Sequence, residues 1–249
     1  MLAHMQAAID YLESTSSAVK HLFAGIEDYV ALLRPTTELT FVSGQPAGPE
    51  REEQFRRWLA ENEKSLDKAR EAQTRFVAES FALSTLCGAV LQVAEKALEL
   101  YSPNKTIPAD LPLGLKSNLK LNRAQYCVGR LVRRIPLGLI IYAGRNQHAH
   151  HEELPREPGF SVFEHLAAYP EFPDQSPQRN KAFDVRGGNH SNYAGNITSL
   201  IGWRSYEAYV EDMRSMLRLD TADRTGLSRK FHDRTEGATT KDDPERKTG

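Results

Sequence analysis

Residues 76–101 read FVAESFALSTLCGAVLQVAEKALELY, and this stretch decides the fold class. Phe76, Ser80, Leu83, Cys87, Val90, Ala94, Leu98 and Tyr101 recur at steps of three and four, which places them on one stripe of a helix. So long an apolar stripe predicts the core of a helical bundle. The same helix is expected to start near Glu50 and run unbroken to Tyr101. Upstream, Met5, Ile9, Leu12, Val19, Leu22, Ile26, Val30 and Leu33 repeat the pattern up to a stop at Pro35. Residues 36–50, rich in Thr, Gly and Pro, read as a linker.

Downstream, residues 102–121 are broken by Pro103, Pro108 and Pro112 and read as irregular. Residues 122–134 are expected to be helical, with Arg123, Arg130 and Arg134 roughly on one face and Arg133 beside them. Pro136 suits the first turn of another helix, where its missing N–H costs nothing. Prolines at 155, 158, 170, 173 and 177 mark residues 154–190 as a long loop, with a short helix near 161–168. A last helix, about 191–217, puts Tyr193, Ile197, Leu200, Ile201, Tyr206, Val210, Met213 and Leu217 on one face. Apolar residues nearly vanish beyond Asp220. The expected organisation is an all-α domain over residues 1–219 of about five helices, followed by a disordered charged tail over 220–249. No strand pattern and no internal repeat stand out. Trp58 and Trp203, both on amphipathic segments, are expected in a core or an interface.

Composition narrows the function classes. With 32 Lys and Arg against 33 Asp and Glu, the formal net charge is -1 at pH 7, so any nucleic-acid contact must use a local basic patch. Cys87 and Cys127 sit among apolar neighbours and read as small buried hydrophobes of a reducing, cytoplasmic protein. Met1 to Val19 carries Asp10 and Glu13 and lacks the continuous apolar core of a signal peptide. The longest apolar run, Leu137 to Ala143, is far short of the roughly 20 residues of a membrane span. No membrane partner is expected.

The chemistry concentrates in one place. Leu139-Ile140-Ile141-Tyr142-Ala143-Gly144 is followed by Arg145-Asn146-Gln147-His148-Ala149-His150-His151-Glu152-Glu153. Arginine is a permanent cation with a fork of donors, and histidine exchanges a proton near neutral pH. Together they suit a phosphodiester whose protons must be moved without a metal or other cofactor. A second basic place is Arg186-Gly187-Gly188-Asn189-His190, which reads as a helix-entry turn or a phosphate-contacting loop.

Arg145-Asn146-x-x-x-His150 after an apolar helix resembles the signature of the HEPN superfamily, an arginine followed by four to six residues and then a histidine. The resemblance covers residues 139–152 and implies an all-helical, HEPN-like bundle acting as a homodimer, with a metal-independent endoribonuclease site. Arg145, Asn146 and His150 would be catalytic: His150 as general acid–base, Arg145 steadying the transition-state charge, Asn146 orienting the pair. RNA is the implied partner, with Arg130, Arg134, Arg186 and His190 as candidate contacts. Membership of a toxin–antitoxin or anti-phage system, with an antitoxin protein as partner, follows from the family alone. Glu152 stands where a tyrosine follows the histidine in one toxin subclass. On an unbroken helix Arg145 and His150 diverge by roughly 140° at about 100° per residue, so the site needs a helix break or a second subunit.

Two other readings stay open. One is a non-catalytic helical dimer that binds RNA or a protein. The other is a metal site on His148, His151 and Glu152, whose i, i+3 and i, i+4 spacing shares a helical face. No metal is the expectation, because no His-Glu-x-x-His pattern is present.

Overall fold

A computed structural model describes residues 2–33, 41, 43–44, 48–170, 179–186 and 192–219. The linker 34–40 with most of 42–47, the residues 171–178 and 187–191, and the expected tail lie outside the described residues. Eight α-helices, one 3-10 helix and one two-residue β-hairpin form there, and the all-α class is as the sequence implies.

Helix α1 (Leu2–Leu33) runs antiparallel to the second half of α3 (Glu63–Tyr101). Tyr11 Oη donates to the Val93 carbonyl at 3.1 Å, and His4 Nε2 lies 3.2 Å from the Tyr101 carbonyl. Farther along, Gly25 faces the Leu86 methyl. The second half of the expected stripe forms core: Cys87, Val90, Ala94 and Leu98 are buried together with Leu91 and Ala97. Leu83 and Tyr101 pack against them half-buried, Ser80 is half-buried, and the side chain of Phe76 lies outside the described residues. By length and a mean hydropathy of 1.3, Ala78–Tyr101 resembles a membrane span. Here its apolar faces are covered by α1, by α5 (Leu137–Ala149) and by α7 (Ala194–Leu200).

Every residue of α5 from Leu137 to Gly144 is buried. A helix apolar on all sides belongs in the middle of a bundle. Besides α3 and α7, α6 (Gly159–Ala168) packs on it through Val162, Phe163 and Leu166. Gly138 permits a close approach of the chain, since a Cβ there would lie 2.5 Å from the Tyr126 carbonyl. Helix α8 (Tyr206–Met216) closes the side toward α1, with Tyr209 and Met213 buried and the Tyr209 ring 5.9 Å from Phe23. A short helix α4 (Leu113–Asn118) interrupts the Pro-rich connection and rests on α6.

Three expectations need correction. The helix from Glu50 to Tyr101 is two, because Asn62 ends α2 (Pro49–Glu61). Its side-chain amide and its backbone N–H both donate to the Trp58 carbonyl, at 2.8 and 3.0 Å. Residues 122–134 are not one helix. A 3-10 helix (Leu121–Tyr126) is followed by the antiparallel strands β1 (Leu131–Val132) and β2 (Ile135–Pro136). Gly129, at φ 86, turns the chain out of any right-handed helix, so Arg123, Arg130 and Arg134 share no helical face. The last helix is likewise two, α7 and α8. Gly202 at φ 75 breaks it, and the Ser205 hydroxyl caps α8 by accepting from the Ala208 N–H at 3.3 Å. Of the tryptophans, Trp203 is in the core. Trp58 lies apart from it on α2, a helix with no buried residue, and clusters with Phe41 and Phe55.

Candidate functional site around Arg145

The last turns of α5 carry Arg145 to His148, and packing decides what each side chain does. Gln147 is buried and accepts the Tyr193 N–H through Oε1 at 3.0 Å. His148 turns onto α3, where a Cβ on residue 88 would lie 2.3 Å from three of its ring atoms, so Gly88 makes its room. Asn192 Nδ2 donates to His148 Nδ1 at 2.9 Å, which puts the neutral ring's proton on Nε2. The same Asn192 accepts the Ala194 N–H through Oδ1 at 3.1 Å and so starts α7. Gln147 and His148 therefore fasten α5 to α3 and α7.

Arg145 faces a buried acid. Glu95 on α3 has only 10% of its side chain exposed, and its Oε2 stands 3.9 Å from Arg145 Nε. That distance allows an ion pair but not a hydrogen bond, and Arg145 Nε–H is buried without a hydrogen-bond partner. The other Glu95 oxygen accepts the Tyr126 hydroxyl at 2.5 Å, a short bond of the charge-assisted kind. Burial first, and then this carboxylate, hold the Tyr126 hydroxyl far above its ordinary pKa, so it stays a donor at every physiological pH. Arg145 Nη1 donates to Asn146 Oδ1 at 3.0 Å. A guanidinium carries five N–H groups. Among the described residues this is the one hydrogen bond that Arg145 makes.

Around this ion pair the aromatic rings close up. The Tyr126 and Tyr142 rings lie 4.5 Å apart, and the Arg123 guanidinium sits 5.0 Å from the Tyr142 ring centroid. The 3-10 helix that bears Arg123 and Tyr126 is pinned by Asn104, whose Nδ2 lies 2.6 Å from the Ala124 carbonyl and 3.2 Å from that of Cys127.

His150 does not join this group. Helix α5 continues unbroken through Ala149, and His150 caps its end at φ −131, exposed, with its backbone N–H bonded to the Asn146 carbonyl. No contact joins its side chain to Arg145 among the described residues. His151 instead lies beside Phe81, ring to ring at 6.5 Å. Among the described residues, no group of three or more His, Cys, Asp and Glu side chains is placed to hold a metal ion, His148, His151 and Glu152 included.

The proposed RNA contacts fall in different situations. Arg130 binds both oxygens of Asp212 at 2.9 Å and also the Ile201 carbonyl, while Trp203 Nε1 donates to the same carboxylate at 2.8 Å. This ties the loop before β1 to α8. Arg186 is 2.6 Å from Glu164, which also receives Arg179 at 2.7 Å. Arg179 in turn holds the Asp184 carboxyl down at about 2. Arg134 is exposed in the hairpin turn and makes no ion pair among the described residues. His190 lies outside the described residues, as do Gly187, Gly188 and Asn189. Both cysteines are free and buried, and burial pushes the Cys127 thiol up to about 11.

Glu95, Tyr126, Tyr142 and Arg123 were not singled out by the sequence as partners of Arg145. One signal was available. Leu91, Glu95 and Leu98 share a face of the core helix, and an acid among leucines demands a buried partner. Comparison with known proteins finds no matching family model, no matching curated protein and no matching solved structure.

Proposed function

We propose that this chain is a metal-independent endoribonuclease of HEPN type, acting in the cytoplasm as a homodimer and belonging to a toxin or anti-phage system. One observation carries the reading: Arg145 stands at the end of a buried helix with most of its donors uncommitted, whereas Arg130 and Arg186 are matched by carboxylates. An uncommitted guanidinium, steadied by Asn146 and by Glu95 behind it, suits a phosphate oxygen that gains charge during reaction.

In this mechanism His150 takes the proton from an RNA 2′-hydroxyl, and the 2′-oxygen attacks the adjacent phosphorus. The P–O5′ bond breaks, the leaving oxygen takes a proton from water, and the products are a 2′,3′-cyclic phosphate and a 5′-hydroxyl. Arg145 stabilises the phosphorane-like charge, and Asn146 holds the guanidinium in place. Because Arg145 and His150 do not meet within one chain, the reading takes the histidine from a second copy, the alternative being that α5 unwinds between them.

The test is cleavage of mixed RNA in excess EDTA. Wild type is expected to release 2′,3′-cyclic phosphate ends. Arg145→Ala and His150→Ala, still folded, are expected to lose activity by about 10²–10⁴-fold, the usual worth of one general acid–base or charge-stabilising group. Cleavage that survives His150→Ala sinks the mechanism. A folded wild type without cleavage moves the assignment to a non-catalytic helical dimer that binds RNA or a protein, a reading favoured by the separation of Arg145 from His150.

A further inference from the structure

We infer that Arg123 is a phosphate-binding residue for single-stranded RNA, forming with Arg145 a two-cation rim along one side of Tyr142. The inference rests on the ribonuclease reading for its ligand, but not on catalysis.

The arginines differ in how they are spent. Arg130, Arg179 and Arg186 each meet a carboxylate at 2.6–2.9 Å. Arg123 makes no ion pair among the described residues, although it is half-buried and well placed. Its cation lies against the Tyr142 ring at 5.0 Å. Stacking of this kind fixes the plane of a guanidinium while leaving its N–H edge free for an anion.

The position follows from the helix. Tyr142 and Arg145 are three residues apart on α5 and share a face. From Tyr142 a continuous set of contacts returns to Arg145: the Tyr126 ring at 4.5 Å, its hydroxyl on Glu95 at 2.5 Å, and Glu95 beside Arg145 at 3.9 Å. Arg123 and Arg145 thus stand at the two ends of one cluster. Glu95 offsets one charge and is buried, and Glu99, the second carboxylate acting on Tyr126, is matched by Lys96 at 2.7 Å, which leaves a net positive rim. Asn104 fixes the backbone beneath Arg123, so the cation is held in place before any ligand arrives. Two cations flanking one cluster suit two phosphates of a flexible single strand, with Arg145 on the reacting phosphate and Arg123 on a second one.

The experiment measures binding of a fully 2′-O-methylated single-stranded RNA, which lacks the attacking hydroxyl, by fluorescence anisotropy over a salt series. The proteins are full-length wild type, Arg123→Gln, Arg123→Lys and, as a control for charge alone, Arg51→Gln on the exposed helix α2. Arg123→Gln is expected to weaken binding roughly five- to tenfold at about 0.1 M salt and to flatten the log–log salt slope by about 0.7, the loss of one phosphate contact to a single strand. Arg123→Lys should keep the slope and lose part of the affinity, and Arg51→Gln should change neither. Wild-type binding with an unchanged slope in Arg123→Gln overturns the inference and leaves the ribonuclease reading standing. An Arg123-dependent slope in a protein that cleaves nothing upholds the inference and removes the catalytic reading. A wild type that binds no RNA overturns both.

Discussion

His148 shows how a single side chain is assigned by what surrounds it. In sequence it belongs to a histidine run and reads as a metal ligand or a proton carrier. In the fold it is a fastening between helices, because residue 88 has no side chain and Asn192 occupies Nδ1. Gly88→Ala would place a methyl 2.3 Å from the ring, so the imidazole must leave and its hydrogen bond must break. Overpacking of this kind costs typically about 1–3 kcal/mol. His148→Ala should destabilise as well, through the lost hydrogen bond and the space it leaves. In the double variant the two costs should not add, because the methyl then occupies vacated volume. A coupling of about 1–2 kcal/mol toward stability is expected from a urea-unfolding cycle. Additive costs would show that the ring is not held against Gly88. Nothing in the one-dimensional pattern points to this pair, which lies 60 residues apart, whereas Arg145 and Asn146 were legible because their signal is contiguous.

At the scale of elements, the hairpin is where sequence reading and structure part most clearly. Arginines at 123, 130 and 134 imitate a helical face by their spacing alone. Gly129, which the spacing argument passed over, undoes it. The same physics splits the last helix at Gly202 and Ser205, both of which are helix punctuation that apolar periodicity alone overrides. The two-residue turn of the hairpin is unusual in composition, for Arg133 and Arg134 both have positive φ, 48 and 67, where Asn-Gly is the common choice. Each costs roughly 1–2 kcal/mol against a residue without a Cβ. Arg133 recovers this through a hydrogen bond to the Leu166 carbonyl at 3.0 Å and stacking on Tyr169 and Phe183, while its own carbonyl meets His165 Nε2 at 2.8 Å. Arg134 is exposed and has no such compensation among the described residues. Arg134→Gly should therefore stabilise the fold by about 0.5–1 kcal/mol, the strain relieved less the extra entropy of glycine. Arg133→Gly should destabilise it. Thermal melts of the two variants decide the matter, and a lower melting temperature for Arg134→Gly would show that its side chain is held after all.

For the whole molecule, the all-α class was legible because each long helix repeats apolar residues at three and four, and that repetition needs no tertiary knowledge. The candidate site was half legible: Arg145, Asn146 and His150 are neighbours in the chain, but Glu95 and Tyr126 join Arg145 only through the bundle. What one chain does not do is bring Arg145 and His150 together, since α5 stays helical through Ala149. If the proposed ribonuclease is a twofold dimer, each site takes Arg145 from one subunit and His150 from the other. Symmetry then fixes a result that no single-chain site gives. Arg145→Ala and His150→Ala are each inactive alone. When their subunits are exchanged at equal amounts, roughly half of the dimers are mixed, and each mixed dimer holds one site with both groups intact and one with neither. Activity should return to about a quarter of the wild-type value, with the time course of subunit exchange and no metal dependence. An active wild type whose two variants never complement would place both groups in the same chain. Helix α5 would then have to unwind between Arg145 and His150 when RNA binds, at the cost of the Asn146 carbonyl bond that now ends it.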